Sequence, residues 1–534
     1  MSEKERNIEY KGRIKIYTDE REINQSNVID VLDKALIKHE VNRTRIKELI
    51  DFEKGYQPLK REKKVYKDID IKSTVNLAHQ ITEFWLGYFW GNHMAFVQKS
   101  DKHPKNSNSE DNDSALTIFN EMLELEDMEY KDQLLAYYVE VAGICCQLID
   151  IKRDRIDDED APFDLVTLNP MYSFMVYSAG AYERPIMGVS YVENEDGSKD
   201  YTCITNDRVY IIRNQTEIIN GKPEKDNYSF LKRSGEKNPF GRINIVEFER
   251  SVDRTGVFER AIDSLNALNI LESDLVNDVA QTTQANWWGN DIELLKDKNG
   301  KPIPPVGGQW IMTKTNANGN KPDIKSLVLD YDYEGVLKNI QAKHDEILEM
   351  TFTPRQTESS GGSTTGATSL SSGWTTTEAV ATKQSAIIKR GYRERNRLVL
   401  IAIKSAPNMD EASPIMRLKN SDIDIRPIRQ KTFDMATKVN CLATMVQNMV
   451  HPRVAMETID FFPNLAEAVE DSVPKMLEYQ DMLLESKKTG MSTFNQKDVA
   501  QKPEDEKQKA NVNPDKKRTM QDSSDQIDNS PIQS

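Results

Sequence analysis

The chain has 534 residues, 29% of them charged, with a formal net charge of −15 and a mean hydropathy of −0.65. That length exceeds one compact core and predicts about two to four domains, while no run approaches the roughly 18 to 20 apolar residues of a membrane span. The acidic balance argues against a protein that coats nucleic acid through a basic face, though it does not exclude one past which a charged polymer slides without sticking.

Residues 1–25 are polar and predict an irregular arm, opening on Met1-Ser2-Glu3-Lys4-Glu5-Arg6 with no apolar signal core. Ser26 or Asn27 can cap a helix running to about Phe52, with Ile29, Leu32 and Leu36 on one stripe. A stronger helix follows in which Leu77, Ile81, Phe84 and Tyr88 share a face, stopped by Gly91-Asn92 as a left-handed cap. Residues 99–114 hold little to bury and predict a surface loop. A helical pair is expected over 115–125 and from 130 to about 143, continuing into the apolar run 144–151.

From 165 to 250 the texture changes to short β-like runs such as Phe174-Met175-Val176-Tyr177 and Arg208-Val209-Tyr210-Ile211-Ile212. Turn signals at Asn169-Pro170, Asp196-Gly197 and Asn220-Gly221 separate them, so this part is β-rich. A long helix over about 258–284 has Phe258, Ile262, Leu265, Leu268, Leu275 and Val279 as its seam. Asp263, Asn266, Asp274, Asn277, Asp278 and Gln281 form its polar surface. Residues 287–332, with Pro302, Pro304, Pro305 and Gly307-Gly308, read as a small sheet insert. A second helix over 333–351 turns Leu337, Ile340, His344 and Ile347 inward and ends at Pro354. A Gly/Ser/Thr segment, 358–377, then leads into a long helix over about 378–406. Two or three further helices are expected within 409–484, and 485–534 has the composition of a disordered tail. The whole is a mixed α+β, mainly α chain without internal repeats.

Chemistry-bearing motifs are scarce. Four cysteines lack zinc or disulfide spacing and read as small core residues, and six histidines are scattered. No catalytic, metal or cofactor set emerges. Gly361-Gly362-Ser363-Thr364-Thr365-Gly366 resembles a phosphate loop only superficially. Ala367 stands where the lysine would be, so no charge meets a nucleotide's outer phosphates. The segment is either a mobile loop that touches a charged polymer weakly or a passive connector. Lys389, Arg390, Arg393, Arg395 and Arg397 form the densest basic cluster, either a solvated helix face or a phosphate-facing one. Trp287-Trp288 ends a polar helix and reads as buried core or as an interface anchor.

Three stretches together resemble the portal protein family of long-tailed bacteriophages. The first is Arg45 to Tyr56 followed by NLAHQITEFWLGYFWGNHMAFV, where His93 replaces the proline common in the family. The second is 131–151 followed by the β-rich part containing Phe174-Met175-Val176-Tyr177 and Ile186-Met187-Gly188-Val189. The third is Ile245-Val246-Glu247-Phe248, then helix, insert, helix, Gly-rich loop and long helix. Each motif is weak alone; their order over residues 28–480 carries the likeness.

The resemblance implies a portal fold with wing, stem, clip and crown parts, assembling as a homo-oligomeric ring, by the family's norm a dodecamer. It implies the wing over 26–257 and again over 378–408. The stem would be 258–286 and 333–352, the clip 287–332, the tunnel loop 353–377, the crown 409–484. Ser359, Ser360, Gly361, Gly362, Ser363, Thr364, Thr365 and Gly366 would face DNA. Asp274, Asp278, Lys338 and Lys343 are channel candidates, and Trp287, Trp288 and Trp310 are clip interface candidates. The implied partners are copies of itself, double-stranded DNA, the terminase large subunit, a head-completion or adaptor protein, and the major capsid and scaffolding proteins. No cofactor and no membrane are implied. The implied place is the capsid portal vertex of the virion, after assembly in the host cytoplasm, with ATP hydrolysis left to the terminase. The rival from the residues alone is a non-viral multi-domain scaffold with no DNA channel. A nucleic-acid enzyme would need an acidic metal cluster or a nucleotide loop, and neither is legible.

Overall fold

The computed structural model describes residues 12–59, 70–99, 109–153, 160–219, 222–283, 286–290, 298–299, 323–327, 333–355, 373–407, 409–410, 412–429, 435–459 and 465–488. The chain divides into two units, 1–473 and 474–534. The described part of the second is the later portion of a helix that spans Leu465–Lys488.

The first unit is a mixed α/β structure in which helix outweighs strand. The described part of its N-terminal arm, expected to be irregular, contains a short strand. Ile16–Thr18 (β1) pairs in parallel with Ser173–Ser178 (β5) and joins a seven-stranded sheet. The other strands of that sheet are Pro185–Glu193 (β6), Lys199–Ile204 (β7), Arg208–Ile219 (β8), Lys222–Phe230 (β9) and Glu236–Lys237 (β10), in the order β1-β5-β6-β7-β8-β10, with β9 also on β8. The turn expected at Asn220-Gly221 lies outside the described residues.

Helix α1, Val28–Glu53, covers one face of this sheet. Its buried stripe is Val28, Val31, Leu32 and Ala35, against Phe174, Val176, Met187 and Val189. Ile29 and Leu36, expected in that stripe, are only partly buried at its edge. β5 is apolar on both sides because its other face, Met175 and Tyr177, packs on Cys146 and Ile245 of a second sheet and on Ile243 just before it.

That second sheet, in the order Ile245–Glu249 (β11), Ile144–Ile151 (β3), Phe163–Leu168 (β4), corrects the reading of 144–151 as a helical continuation. A short run apolar on all sides does not distinguish helix from strand. The boundary is set by Gly143. Its φ of +80° closes α4 (Met128–Ala142) with a bond from its N–H to Val139 O, 3.0 Å. A Cβ there would lie 2.4 Å from Arg254 O. With α4 ended, the run 144–151 pairs with strands on both edges.

The largest core lies between this sheet and helices α2 (Leu77–Trp90), α3 (Ser109–Leu125), α4 and α7 (Trp374–Ser405). α3 starts six residues before Ala115, inside the expected surface loop. α2 runs into Gly91 with ordinary right-handed geometry, φ −62°, so no left-handed cap forms there. Gly391 lets α7 lie directly on β11, since a Cβ would meet the Phe248 ring at 2.5 Å. Residues 423–427 (β14) pair with Met94–Gln98 (β2), so this stretch, expected in the crown, is built into the same body as α2. α8 (Met435–Gln447), α9 (Pro452–Ile459) and α10 (Leu465–Lys488) follow. Cys145, Cys146 and Cys203 are core residues as expected, whereas Cys441 on α8 is exposed.

Buried ionic groups lock these layers. Glu140 on α4, fully buried, accepts from Trp90 Nε1 (2.9 Å), Arg250 Nε (2.7 Å) and Gln384 of α7. Arg395, expected in an exposed basic cluster, is also fully buried. Its Nη1 donates to Asp132 Oδ1 at 2.6 Å, and its guanidinium lies 4.3 Å from the Tyr392 ring centre. A buried guanidinium must be paired, so Arg395 bolts α7 to α4.

His39, on the buried face of α1, donates from Nε2 to Met171 O (3.1 Å) and stacks on Phe174. Burial lowers its pKa from 6.5 to about 4. The unfolded chain therefore binds a proton that the folded one refuses between those values, and stability falls as pH drops from 6.5 toward 4. Between pH 7.5 and 5.0, His39 is expected to remove about 2 kcal/mol of stability. In a His39→Leu variant that increment should vanish from denaturant melts taken at the two pH values. An unchanged pH dependence would show that His39 is not the group responsible.

Candidate functional site: two long helices and the anchors of the connection that follows them

The long helix after β11 is α5, Ile262–Thr283, entered through a 3-10 turn Glu259–Ala261. Its root is fastened by the N-terminal arm. Arg13 Nη2 reaches the buried Glu259 at 2.5 Å, and Glu259 also accepts from Gly256 N at 2.9 Å.

The apolar seam read from the sequence holds for Phe258, Leu265 and Leu268, which are buried. It fails farther on, where Leu275 is half-buried and Val279 is 47% exposed. The buried row is instead Asn269, Ser273 and Asn277, spaced four apart. These side chains pair with the backbone of the extended segment 71–75. Asn277 Oδ1 accepts from Ile71 N (2.8 Å) while its Nδ2 donates to Ile71 O (2.7 Å). Ser273 Oγ accepts from Ser73 N (3.0 Å) and Asn269 Oδ1 from Val75 N (3.0 Å). The spacings match because two residues of extended chain advance about 6.6 Å and four of helix about 6.0 Å. Asn277, expected on a wet surface, is therefore an internal strut. The spacing of four among small amides and hydroxyls was the available signal.

The next long helix, α6, spans Tyr333–Met350. Of its expected inward residues, Ile347 is fully buried, Ile340 and His344 are partly buried, and Leu337 is 54% exposed. It ends before Pro354, in a turn where Phe352 takes a left-handed φ of +55° and Thr353 N bonds Leu348 O at 2.9 Å.

The connection from α6 to α7 has both ends pinned to α2. Trp85 Nε1 donates to Thr351 O (3.3 Å) at the leaving end. At the returning end Gly373, φ +87°, starts α7, and Trp374 packs against Phe84 and Tyr88 with ring centres 5.8 and 5.5 Å away. Thr377 Oγ1 donates to Phe352 O at 2.6 Å, so one bond ties the two ends together. Tyr88 OH donates to Glu378, which also receives Arg429, and Arg429 Nη2 donates to Ser385 Oγ at 3.0 Å. Burial, then the Glu378 carboxylate, pushes the Tyr88 phenol well above its usual pKa. Both ends of the connection are thus held on a rigid base.

Ser359 to Gly366, the DNA-facing candidates, lie outside the described residues, as does Trp310. Trp287 and Trp288 sit on Asn286–Asn290 (β12), which pairs antiparallel with Asp323–Leu327 (β13), opposite Ser326 and Lys325. The described residues at the two ends of the insert therefore form a two-stranded sheet. Asp274 and Asp278 are half-buried on α5. Lys338 and Lys343 pair along α6 with Glu334 and Glu346, each at 2.7 Å.

Among the described residues, no group of three or more His, Cys, Asp and Glu is placed to hold a metal ion. No described helix is long and apolar enough to cross a membrane.

This order of long helix, two-stranded sheet, second helix, connection pinned at both ends and longer helix has a counterpart among known families. Residues 32–523 match the family described as phage portal protein, SPP1 Gp6-like. The chain belongs to that family. Portal proteins of this family are structural components of the phage, not enzymes. No curated protein matches the chain.

An Asn277→Leu variant keeps the side-chain size but leaves Ile71 N–H and C=O without partners, a loss of roughly 1 to 3 kcal/mol. Hydrogen–deuterium exchange at residues 70–76 is expected to accelerate at least about tenfold, with α5 itself still protected. Unaltered exchange there would show that the row of struts does not hold the segment.

Proposed function

We propose that the chain is the repeating subunit of a closed homo-oligomeric ring, by the family's norm of twelve copies, at one vertex of the capsid. The ring forms the channel through which double-stranded DNA enters and leaves the head. The family match over residues 32–523 carries this reading. The fold supports it with two consecutive helices, α5 and α6, separated by the β12–β13 element and followed by a loop with clamped ends.

In this reading α5 and α6 form the stem, and 287–332 is the clip that docks the terminase large subunit during packaging and a head-completion or adaptor protein afterwards. Major capsid and scaffolding proteins surround the ring in the virion. The wing comprises 26–257 together with α7. Because β14 pairs with β2, residues 412–427 go with the wing, and the crown begins at α8. Segment 353–373 is the tunnel loop, ending four residues earlier than expected because α7 begins at Trp374. Its hydroxyls and glycines suit weak, sliding contact with phosphates, and a net charge of −15 per copy keeps the assembly from binding the duplex tightly.

Purified full-length protein is expected to show rings with a central hole in negative-stain images, and solitary particles would overturn the assignment. Shortening 359–372 should leave these rings intact, since Phe352, Thr377 and Trp374 retain their contacts, but reduce DNA-filled heads in a packaging assay. Normal filling after that deletion would remove the tunnel-loop role.

A further inference from the structure

α7 buries one side and leaves the other open along most of its length. Gln384, Ile388, Gly391, Tyr392, Arg395 and Val399 face the core. On the open side Lys383, Arg390, Arg393 and Arg397 are exposed. At 100° per residue they fall within roughly 80° of one another, and they extend over about 21 Å of helix axis.

The row is nearly free of acids. Glu394 is taken by Arg397 at 3.1 Å and by Arg242 at 3.6 Å. Among the described residues, Lys383, Arg390 and Arg393 have no carboxylate within the 4.0 Å of an ion pair. The acid whose charge Arg390 feels, Glu249, is already held by Arg254 at 3.1 Å. Arg390 and Arg393 stand three apart, and Arg393 and Arg397 four apart, spacings at which like charges repel along a helix. A chain with 86 acidic residues against 71 basic ones thus keeps a self-repelling cationic row on its longest helix. The opposite side of that helix is fixed by the buried Arg395–Asp132 pair. Guanidinium forks suit paired oxygens of phosphate, and an extended row suits a polyanion rather than one small ion.

We propose that this face of α7 is a contact surface for the backbone phosphates of duplex DNA, distinct from the loop between α6 and α7. The choice of DNA as the polyanion rests on the portal reading; the row itself does not. Three or four phosphate contacts per subunit give binding that weakens roughly 40- to 150-fold between 50 and 200 mM salt, so the surface holds DNA transiently.

The test uses full-length protein and a fluorescently labelled duplex of 30 base pairs, with binding followed by anisotropy across that salt range. The triple variant Lys383→Gln, Arg390→Gln, Arg393→Gln is compared with a charge-matched control, Lys34→Gln, Lys47→Gln, Lys54→Gln, whose lysines are also exposed. The α7 variant should bind at least about tenfold more weakly at 100 mM salt, with the log–log salt slope shallower by about 2.7, while the control binds as the wild type does. Equal loss in both variants, loss in neither, or no binding by the wild type overturns the proposal. Should the α7 variant alone fail to form rings, the row joins neighbouring copies and the proposal also falls. Row-dependent binding by a wild type that forms no rings would uphold this surface while sinking the portal reading.

Discussion

The Glu140 carboxylate is the constraint around which this fold is arranged. It is a charge withdrawn from water, and removing a partner from such a group costs roughly 3 to 5 kcal/mol, so the elements supplying its partners must converge. Those elements are the end of α2 through Trp90, the end of β11 through Arg250, and α7 through Gln384. The chain of contacts does not stop there. Arg250 lies 5.5 Å from the Trp85 ring, and Trp85 in turn donates to Thr351 at the root of the loop. A buried acid in the core is thereby connected to the place where the chain presents a loop proposed to meet DNA.

Asparagine repeats one device in two places. Asn277 on α5 exchanges two hydrogen bonds with Ile71, and Asn42 on α1 exchanges two with Ile14, at 2.9 Å each. In both cases a backbone N–H and C=O that lie outside the strand ladders are satisfied on a helix, through the amide group that mimics a peptide. Buried backbone donors and acceptors need partners, and this supplies them without a sheet edge. The N-terminal arm and the 71–75 segment are held to helices in this way, and the arm also reaches the root of α5 through Arg13 and Glu259.

Charge is sorted by depth. Arg13, Arg254 and Arg395 are buried and paired with Glu259, Glu247 and Asp132. The exposed cations of α7 gather on one face of a net acidic chain. Five neighbouring basic residues in the sequence thus divide into two kinds, because Arg395 lies on the inward side of the helix while Arg393 and Arg397 lie on the outward side.

Apolar spacing located α1, α2, α5 and α6, though Val279 and Leu337 of the expected stripes are exposed, and the β-like runs between turn signals after residue 165 located the large sheet. The order of these parts was enough to suggest the portal family, which the match over 32–523 establishes. The strand at 144–151, the fate of Asn277 and the burial of Arg395 were decided only in three dimensions. An apolar run does not state whether neighbours approach from two edges or from all round, and an amide or guanidinium is equally suited to water and to a buried partner. Sequence fixes what each side chain can bond to; the partner that arrives from 206 residues away at Ile71, or 263 away at Asp132, exists only once the chain has closed on itself.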